Sequence, residues 1–292
     1  MTSELLEQLA QAHAALAARV APHTLGVVRG RYAFSGIGWS ADTVVTAAEP
    51  LAGAQQVRLI QGERQCSAEV LAADLGTDVA VLRTAEPLAA PATRAARDLQ
   101  VAEPVLVMGR EAGAPQAALT YVRHVGPAWQ SRRGGHISSA LRLAGTSHPS
   151  LEGGGIFSAD GALAAMAVAG PRGRILGIPL ETLVEVADTV ASRGYLPQAY
   201  LGVALQGVWL DHAGERRPSA LVTGVAADSP AAAGDVRVGD LLLAADGAAI
   251  AGPLQLLRRV RGRPIGSALA LEFLRGGEAR AVEVRIGERP RG

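Results

Sequence analysis

The sequence predicts a mostly β protein of two domains, preceded by one helix. At 292 residues the chain is too long for one core of ordinary size, and an apolar fraction of 49% is enough to form two cores. From residue 25 to about residue 178, short apolar runs alternate with turn residues, which is typical of an antiparallel barrel or sandwich. A second β-rich block follows over residues 199–289.

Three helices are predicted at the ends of these blocks and inside the second one. The first covers residues 3–20, ends near Pro22, and carries an apolar stripe formed by Leu5, Leu9, Leu16 and Val20. This stripe leaves two interpretations open, packing on its own domain or docking on another chain. The other helices are expected at about 180–192, ended by Gly194, and at about 253–261.

Charge and cysteine content exclude several classes of function. The 28 basic and 27 acidic residues leave a net charge of +1, so nothing favours nucleic acid or an anionic membrane as a partner. All basic residues are arginine. Cys66 is the single cysteine, which excludes an intrachain disulfide and a cysteine-based metal cluster.

The N-terminal residues bear on the cellular compartment. Residues 1–7 are acidic where a secretory signal is basic, and no apolar run approaches the roughly 18–20 residues that span a bilayer. The simplest interpretation is a soluble cytoplasmic protein without a membrane span. A replaced leader is the alternative.

Four segments in the first block carry a family resemblance by their order and spacing. They are Phe34–Asp42, Thr46–Glu49, Asp74–Arg83 and His148–Gly154. In order, they resemble four segments of the trypsin-fold serine proteases of the high-temperature-requirement (HtrA/Deg) type: the first barrel hairpin, Thr-x-x-His, the triad-aspartate segment and Asn-Pro-Gly-Asn-Ser-Gly-Gly.

The second block is similar to the PDZ domain that follows the protease domain in this family. Tyr200–Val203 and Ser229–Gly234, with Val238–Asp240, resemble the PDZ signature. The resemblance covers about residues 25–289. It implies an N-terminal amphipathic helix at 1–22, a chymotrypsin-like double β-barrel at 23–198 and a smaller PDZ domain at 199–292.

The triad positions depart from the family. A serine protease needs a hydroxyl nucleophile, an imidazole base and an orienting carboxylate, whereas the aligned positions here are Glu49, Asp78 and Glu152. Ser150 stands where the family has a glycine that supplies an oxyanion-hole N–H. The resemblance therefore predicts a pseudoprotease with no catalytic residues, although Ser147, Ser150 and His148 leave a shifted alignment, and with it retained peptidase activity, as an alternative.

The three carboxylates have three possible interpretations. The site is relaxed and binds nothing, or it holds Mg²⁺, Mn²⁺ or Ca²⁺ through oxygen ligands, or one raised pKa supports acid/base chemistry on a non-peptide substrate. The latter two define the alternative of a metal-binding protein or repurposed hydrolase. The spacing of His124, His136 and His148 matches no metal-ligand motif. No cofactor is expected.

The PDZ resemblance predicts a peptide-binding groove. A peptide would add a strand beside Tyr200, Leu201, Gly202 and Val203, whose backbone N–H groups would hold a terminal carboxylate. On the facing helix, Leu256 and Val260 are spaced by four and would complete the pocket. The alternative is a groove that is occupied by the chain's own segments or that serves only as a core module.

The sequence as a whole predicts a non-catalytic scaffold, adaptor or accessory subunit. Its expected partner is a protein, captured by its C-terminus or by an extended segment. Because members of the family commonly trimerise through their N-terminal regions, the resemblance also implies a homo-oligomer, with a subunit of a larger complex as the alternative.

Overall fold

The computed structural model describes residues 2–51, 53–111, 113–212 and 215–290. Outside them lie parts of all three predicted segments: Met1 of the N-terminal helix, residues 52 and 112 of the 23–198 domain, and residues 213–214 and 291–292 of the 199–292 domain.

The chain divides into two compact units. Unit 1 comprises Met1–Trp129 and His136–Leu196, and unit 2 comprises Gln130–Gly135 and Pro197–Gly292. The predicted boundaries at residues 22 and 198 stay predictions. Unit 2 also includes residues 130–135, which a division of the sequence into consecutive domains does not predict.

The first barrel of unit 1 is closed, with its strands in the order β1-β2-β3-β6-β5-β4. Its strands alternate between core and solvent, as in β4, where Val57 and Leu59 are buried and Arg58 is exposed. The strands are β1 (Thr24–Arg29), β2 (Tyr32–Gly38), β3 (Thr43–Ala47), β4 (Gln56–Gln61), β5 (Arg64–Asp74) and β6 (Val79–Thr84).

The second barrel is closed in the same way, with its strands in the order β11-β14-β13-β12-β7-β8. Two short strands, β9 (Trp129–Gln130) and β10 (His136–Ile137), lie between β8 and β11 in the sequence. The barrel strands are β7 (Pro104–Glu111), β8 (Ala114–Gly126), β11 (Ala140–Thr146), β12 (Gly155–Ser158), β13 (Leu163–Ala169) and β14 (Arg174–Pro179).

Two helices pack against a core that both barrels share. Helix α1 (Thr2–Val20) buries only its C-terminal half there, through Leu16 and Val20. Helix α2 (Leu180–Arg193) buries one side and ends at Gly194, whose φ of 74° is left-handed and whose N–H bonds to the carbonyl of Val190. Glycine adopts this conformation without a Cβ penalty, which explains the predicted end of the helix.

Unit 2 has its own core around a sheet in the order β16-β17-β18-β20-β21, with β19 paired to β18. Its elements are β15 (Ala199–Tyr200), β16 (Val203–His212), β17 (Glu215–Val225), α3 (Pro230–Ala233), β18 (Leu241–Ala245), β19 (Ala248–Ala249), α4 (Pro253–Arg261), β20 (Ala268–Arg275), β21 (Glu278–Arg285) and β22 (Gly287–Glu288). Strand β22 returns to pair with β15. The predicted fold class, a double barrel with an N-terminal helix followed by a smaller PDZ domain, is confirmed.

Candidate functional site

Asp78 sits at the turn between β5 and β6 of the first barrel. It has a φ of 59°, and the turn before it is closed by Asp74, whose carboxylate accepts the N–H groups of Gly76 and Thr77 at 2.8 and 2.9 Å. The Asp78 Oδ1 accepts the backbone N–H groups of Ala48 and Glu49 at 3.0 and 2.8 Å. Asp78 therefore holds the segment that follows β3.

Glu49 begins a short 3₁₀ turn, Glu49–Leu51, directly after β3 and Ala48. The residue is exposed, whereas Leu51 at the other end of the turn is 1% exposed. The turn is thus anchored by an apolar side chain and by the Asp78 contact, and the glutamate side chain lies at the surface of the cleft.

Glu152 follows a second 3₁₀ turn, Pro149–Leu151, in the second barrel. It is half-buried, and its Oε2 accepts the backbone N–H of Ala169 at 2.7 Å. Burial, and to a smaller extent the charges of Asp78 and Glu49, raise the pKa of Glu152 from 4.5 to about 7, while the hydrogen bond from the Ala169 N–H opposes this shift. The structure thus brings the three aligned carboxylates into one cleft.

The backbone N–H groups around Glu152 are bonded to acceptors within the protein. The Ser150 N–H bonds to His148 Nδ1 at 3.3 Å, and the Glu152 N–H bonds to the Pro149 carbonyl at 3.2 Å. The next residue, Gly153, donates to Ala167 at 2.8 Å. A trypsin-like mechanism needs free N–H donors here for the developing oxyanion. The N–H groups of Ser150 and Glu152, which stand at the two aligned positions, instead bond within the turn.

Gly153 shows why this turn requires glycine. Its φ is +76°, and a Cβ there would lie 2.2 Å from the Ser35 carbonyl and 2.7 Å from Thr46 Oγ1. Ser35 also ties the turn to the barrels, since its Oγ donates to the Ser150 carbonyl at 2.6 Å. The close backbone approach at Gly153 does not depend on the side chain at position 152.

His148 and Ser150 form a local pair. His148 Nδ1 lies 2.8 Å from Ser150 Oγ, and the same nitrogen caps the turn through the Ser150 N–H. Ser150 is 4% exposed, and His148 lies at the surface. Two residues apart on one turn, the pair has the geometry of a cap, with the hydroxyl covered by protein.

Metal binding finds no geometric support. Within the residues that the structure describes, no group of three or more His, Cys, Asp or Glu side chains is arranged to hold a metal ion. This covers the carboxylates at 49, 78 and 152 and the histidines at 124, 136 and 148. The charges of Asp78 and Glu49 repel that of Glu152, but repulsion does not require the carboxylates to converge. Metal coordination does, because it needs several oxygens around one point.

A second site lies in unit 2, between β16 and α4. A cavity of about 320 Å³ is lined by all six residues that the sequence predicted for peptide binding: Tyr200, Leu201, Gly202, Val203, Leu256 and Val260. Leu256 and Val260 are almost fully buried and form its floor from α4. Strand β16 is the edge of its sheet, so a peptide strand has a free side on which to pair.

The loop at one end of this groove presents backbone donors. Among the described residues, no acceptor is bonded to the N–H groups of Leu201 or Gly202, while their carbonyls accept from Ala231 and Ala226 at 2.9 and 2.8 Å. Gly202 has a φ of +84°, and a Cβ there would lie 2.2 Å from the Ser229 Cβ. The loop can therefore offer donors to a carboxylate only with glycine at this position.

Sequence reasoning missed several residues that line the groove. Leu254 and Leu257 add apolar surface from α4, and Arg261 and Arg289 add positive charge. Arg289 reaches the groove because its N–H bonds to the Gln198 carbonyl at 2.9 Å beside the β15–β22 pair. Nothing in the local sequence around Arg289 indicates this position, which depends on the chain end returning to the start of the unit.

Comparisons with known proteins agree with this architecture. Residues 34–166 match the trypsin-like peptidase domain family, and residues 199–286 match the PDZ domain family. A probable periplasmic serine endoprotease, DegP-like, from Halomonas elongata is 27% identical over 259 residues, covering 85% of this chain and 54% of that protein. One of the same description from Pseudomonas fulva is 32% identical over 153 residues, covering 49% of this chain and 32% of that protein.

Solved structures share the fold over almost the whole chain. The HtrA-type protease AlgW with decapeptide is 20% identical, with a TM-score of 0.63 over 96% of this chain and 99% of that chain. The serine endoprotease from Yersinia pestis is 22% identical, with a TM-score of 0.63 over 94% and 97%. This chain spans about half the length of its sequence relative from Halomonas elongata.

The predicted cytoplasmic location is wrong. The curated relatives are named periplasmic endoproteases. That prediction was based on the acidic N-terminal residues. The residues of a folded domain are determined by its packing, so they do not indicate whether the domain was exported. The described helices include none that is both long and apolar enough to cross a bilayer.

Proposed function

Because the chain belongs to the HtrA type of trypsin-like proteases that carry a PDZ domain, we propose that it is a non-catalytic member that binds protein segments as a scaffold, adaptor or accessory subunit. The observation that carries this proposal is Glu152 at the nucleophile position, bonded through Oε2 to the Ala169 N–H. In this role the barrels supply a rigid body, and the PDZ domain captures a peptide.

The chemistry at the cleft supports the loss of amide hydrolysis. A carboxylate at position 152 cannot form a usable acyl-enzyme with an amide, and Glu49 offers no imidazole to accept a proton. The N–H groups of Ser150 and Glu152 are bonded within the turn. Three parts of the mechanism are thus absent together, which a shift in alignment by a few residues does not repair.

The groove supports a peptide with a free C-terminus as the ligand. The open N–H groups of Leu201 and Gly202 suit a carboxylate, and the apolar floor suits an apolar last side chain. Arg261 and Arg289 at the groove favour acidic residues upstream. The ligand class is therefore an extended protein C-terminus that ends in an apolar residue.

The first experiment selects a free-carboxylate peptide from a C-terminal display library and measures its affinity by fluorescence polarisation. Amidation of the best peptide is expected to weaken binding at least tenfold, because it removes the negative charge of the carboxylate to which the loop N–H groups donate. Gly202→Val is expected to weaken it similarly. Gly207→Ala in β16 is the control, since a Cβ there would lie 3.6 Å from Pro253 Cδ, which is an ordinary van der Waals contact. Equal binding of the amidated peptide contradicts the carboxylate-loop assignment.

Partner capture in the native cell tests the adaptor role. Affinity purification of the tagged protein, with mass spectrometry, should yield one or two stoichiometric partners that are lost with Gly202→Val and kept with Gly207→Ala. The names of the relatives favour a periplasmic partner. A homo-oligomer, a trimer by family resemblance, or a place in a larger complex would set the number of PDZ grooves on one assembly.

A second candidate function rests on the raised pKa of Glu152. With a pKa of about 7, this side chain can act as a general acid or base beside Asp78 and Glu49 on a non-peptide substrate. A screen of ester and glycoside substrates at pH 6–8 tests it, with Glu152→Gln as the inactive comparison. Turnover that Glu152→Gln abolishes would favour this hydrolase over the adaptor role.

A further inference from the structure

A cavity outside both candidate sites lies on the second barrel of unit 1. It measures about 290 Å³ and is lined by residues of β8, β9, β11, β14 and the turn between β13 and β14. Four of its lining residues are arginines, and none is acidic: Arg123, Arg142, Arg172 and Arg174. In a chain with a net charge of +1, this local concentration of positive charge is a distinct feature of the molecule.

The strand register explains how these arginines meet. Arg142 pairs with Leu176 of β14 on one side and with His124 of β8 on the other. Side chains alternate along each strand, so Leu141, Leu143 and Ile175 join the barrel core while the arginines lie on the outer, exposed face. Arginines far apart in the sequence thus come together across adjacent strands.

The four guanidinium groups are unneutralised within the described chain. None of them forms an ion pair or hydrogen bond with another described residue. Some other arginines of the chain are neutralised by carboxylates, as in Arg94 with Glu103 at 2.6 Å and Arg275 with Asp240 at 2.8 Å. Unpaired arginine forks around a cavity are a ready arrangement for phosphate or carboxylate oxygens, which they bind bidentately.

The wall of the cavity adds an apolar and aromatic part. Trp129, Ala140, Pro171 and Leu176 line it together with the arginines. The Trp129 Nε1 is buried and has no hydrogen-bond acceptor among the described residues, which is costly for a donor of this kind. A small shift of the ring that gave Nε1 a ligand oxygen would remove this cost. The positive charge at the rim and the apolar surface of the wall together favour a ligand that has both an anionic group and an apolar portion.

We propose that this cavity binds a small organic dianion that carries phosphate or carboxylate groups and an apolar portion. Its volume is close to the lower limit of about 300 Å³ for small-molecule sites. The site is separate from the peptide groove, which lies in unit 2, and from Glu49, Asp78 and Glu152, which do not line it. The proposal therefore does not depend on the PDZ domain or on the state of the catalytic positions.

Isothermal titration of the full chain at low salt tests the site with phenyl phosphate and phthalate, and with neutral benzyl alcohol. Both dianions, or one of them, should bind, and the tighter one identifies phosphate or carboxylate as the preferred group. Arg142→Gln/Arg174→Gln is expected to weaken binding about a hundredfold, about tenfold for each charge-assisted contact. Arg58→Gln/Arg193→Gln, which removes two exposed arginines of the same unit outside the cavity, should keep the wild-type affinity.

Tryptophan fluorescence locates the ligand independently of the arginine variants. Phenyl phosphate or phthalate should change the emission of the wild-type protein. The change should be lost in Trp129→Phe and kept in Trp209→Phe, which lies in unit 2. Absence of binding by both dianions, equal binding of benzyl alcohol, or equal weakening by the two double arginine variants would overturn the proposal.

Discussion

The Asp78 Oδ1 accepts the backbone N–H of Glu49 at 2.8 Å. The contact uses the main chain of residue 49, so it does not depend on which side chain stands there. The turns at the aligned triad positions can therefore keep their geometry whichever side chains they carry. The same holds at Gly153, where backbone approach requires glycine whatever residue precedes it.

Restoring the two missing side chains is not expected to restore proteolysis. Glu49→His/Glu152→Ser supplies a base and a nucleophile beside Asp78, but the N–H groups of Ser150 and residue 152 remain bonded within the turn. Adding Ser150→Gly removes the hydroxyl that contacts His148 and also the Cβ, so the backbone at position 150 can adopt conformations that release its N–H from His148 Nδ1. We expect the triple variant to cleave casein faster than the double variant, by up to about 10²–10³-fold for one oxyanion donor.

Two controls accompany this series. The wild-type protein and Ser150→Ala are both expected to leave casein intact, and a fluorophosphonate probe should label only variants with serine at position 152. Labelling of the wild-type protein at Ser150 would instead show that the His148–Ser150 pair is a nucleophile.

Stability should depend on pH through Glu152. Its folded-state pKa of about 7 is raised above 4.5, so the folded protein holds this proton more tightly than the unfolded chain. The resulting stabilisation is fully present below about pH 4.5 and is lost as pH rises through 7. The shift corresponds to at most about 3 kcal/mol.

Urea unfolding of the wild-type protein and Glu152→Gln at pH 5 and pH 8 measures this effect. The wild-type protein should lose more free energy of unfolding between the two pH values than the variant, because all other titrating groups are common to both. Gln keeps an oxygen for the Ala169 N–H, which makes it a matched replacement. A difference near zero would mean that Glu152 titrates normally.

Helix α1 should respond differently at its two ends. Leu16→Ala removes a side chain from the shared core, where it is 7% exposed, and should lower the free energy of unfolding by about 2–4 kcal/mol. Leu5→Ala/Leu9→Ala changes residues that are 65% and 50% exposed and should cost less than about 0.5 kcal/mol each. Chemical denaturation compares the two.

The same variants test whether α1 also contacts another chain. If the exposed N-terminal half of the helix joins protomers, Leu5→Ala/Leu9→Ala should lower the molar mass measured by light scattering, while the folded mass of Leu16→Ala stays unchanged. An unchanged mass in both would remove the helix stripe from the proposed oligomer.

Arg110 is expected to be a stability residue without a role in binding. The residue is 6% exposed, and its guanidinium donates to the carbonyls of Thr24 and Gly113 at 2.6 Å and of Ala21 at 2.9 Å. Burial lowers its pKa. Arg110→Met would leave three carbonyls without this donor and should cost about 2–4 kcal/mol, whereas the exposed Arg58→Met should be nearly neutral. Peptide affinity should be the same in all three proteins.

Much of the fold could be predicted from local patterns. Alternating residues in β4 and the glycine that ends α2 act over a few residues, so their signals are continuous in the sequence. The groove residues were predicted from the same kind of local signal, because Gly202 needs a left-handed conformation and Leu256 and Val260 are neighbours on one helix turn. They line one cavity, and their role in peptide binding stays a prediction. The compartment could not be read in this way, and its prediction was wrong.

The sequence by itself determined which chemical groups stand at the triad positions, and with them the absence of a hydroxyl and an imidazole at the aligned positions. Only the tertiary structure decided how those groups behave. Burial beside Asp78 raises the pKa of Glu152, and Arg289 reaches the groove through the β15–β22 pair. Three arginines of β8, β11 and β14 gather with Arg172 of the turn before β14. Burial and electrostatic interaction depend on distances in space, which strands far apart in the sequence establish only when the barrel closes.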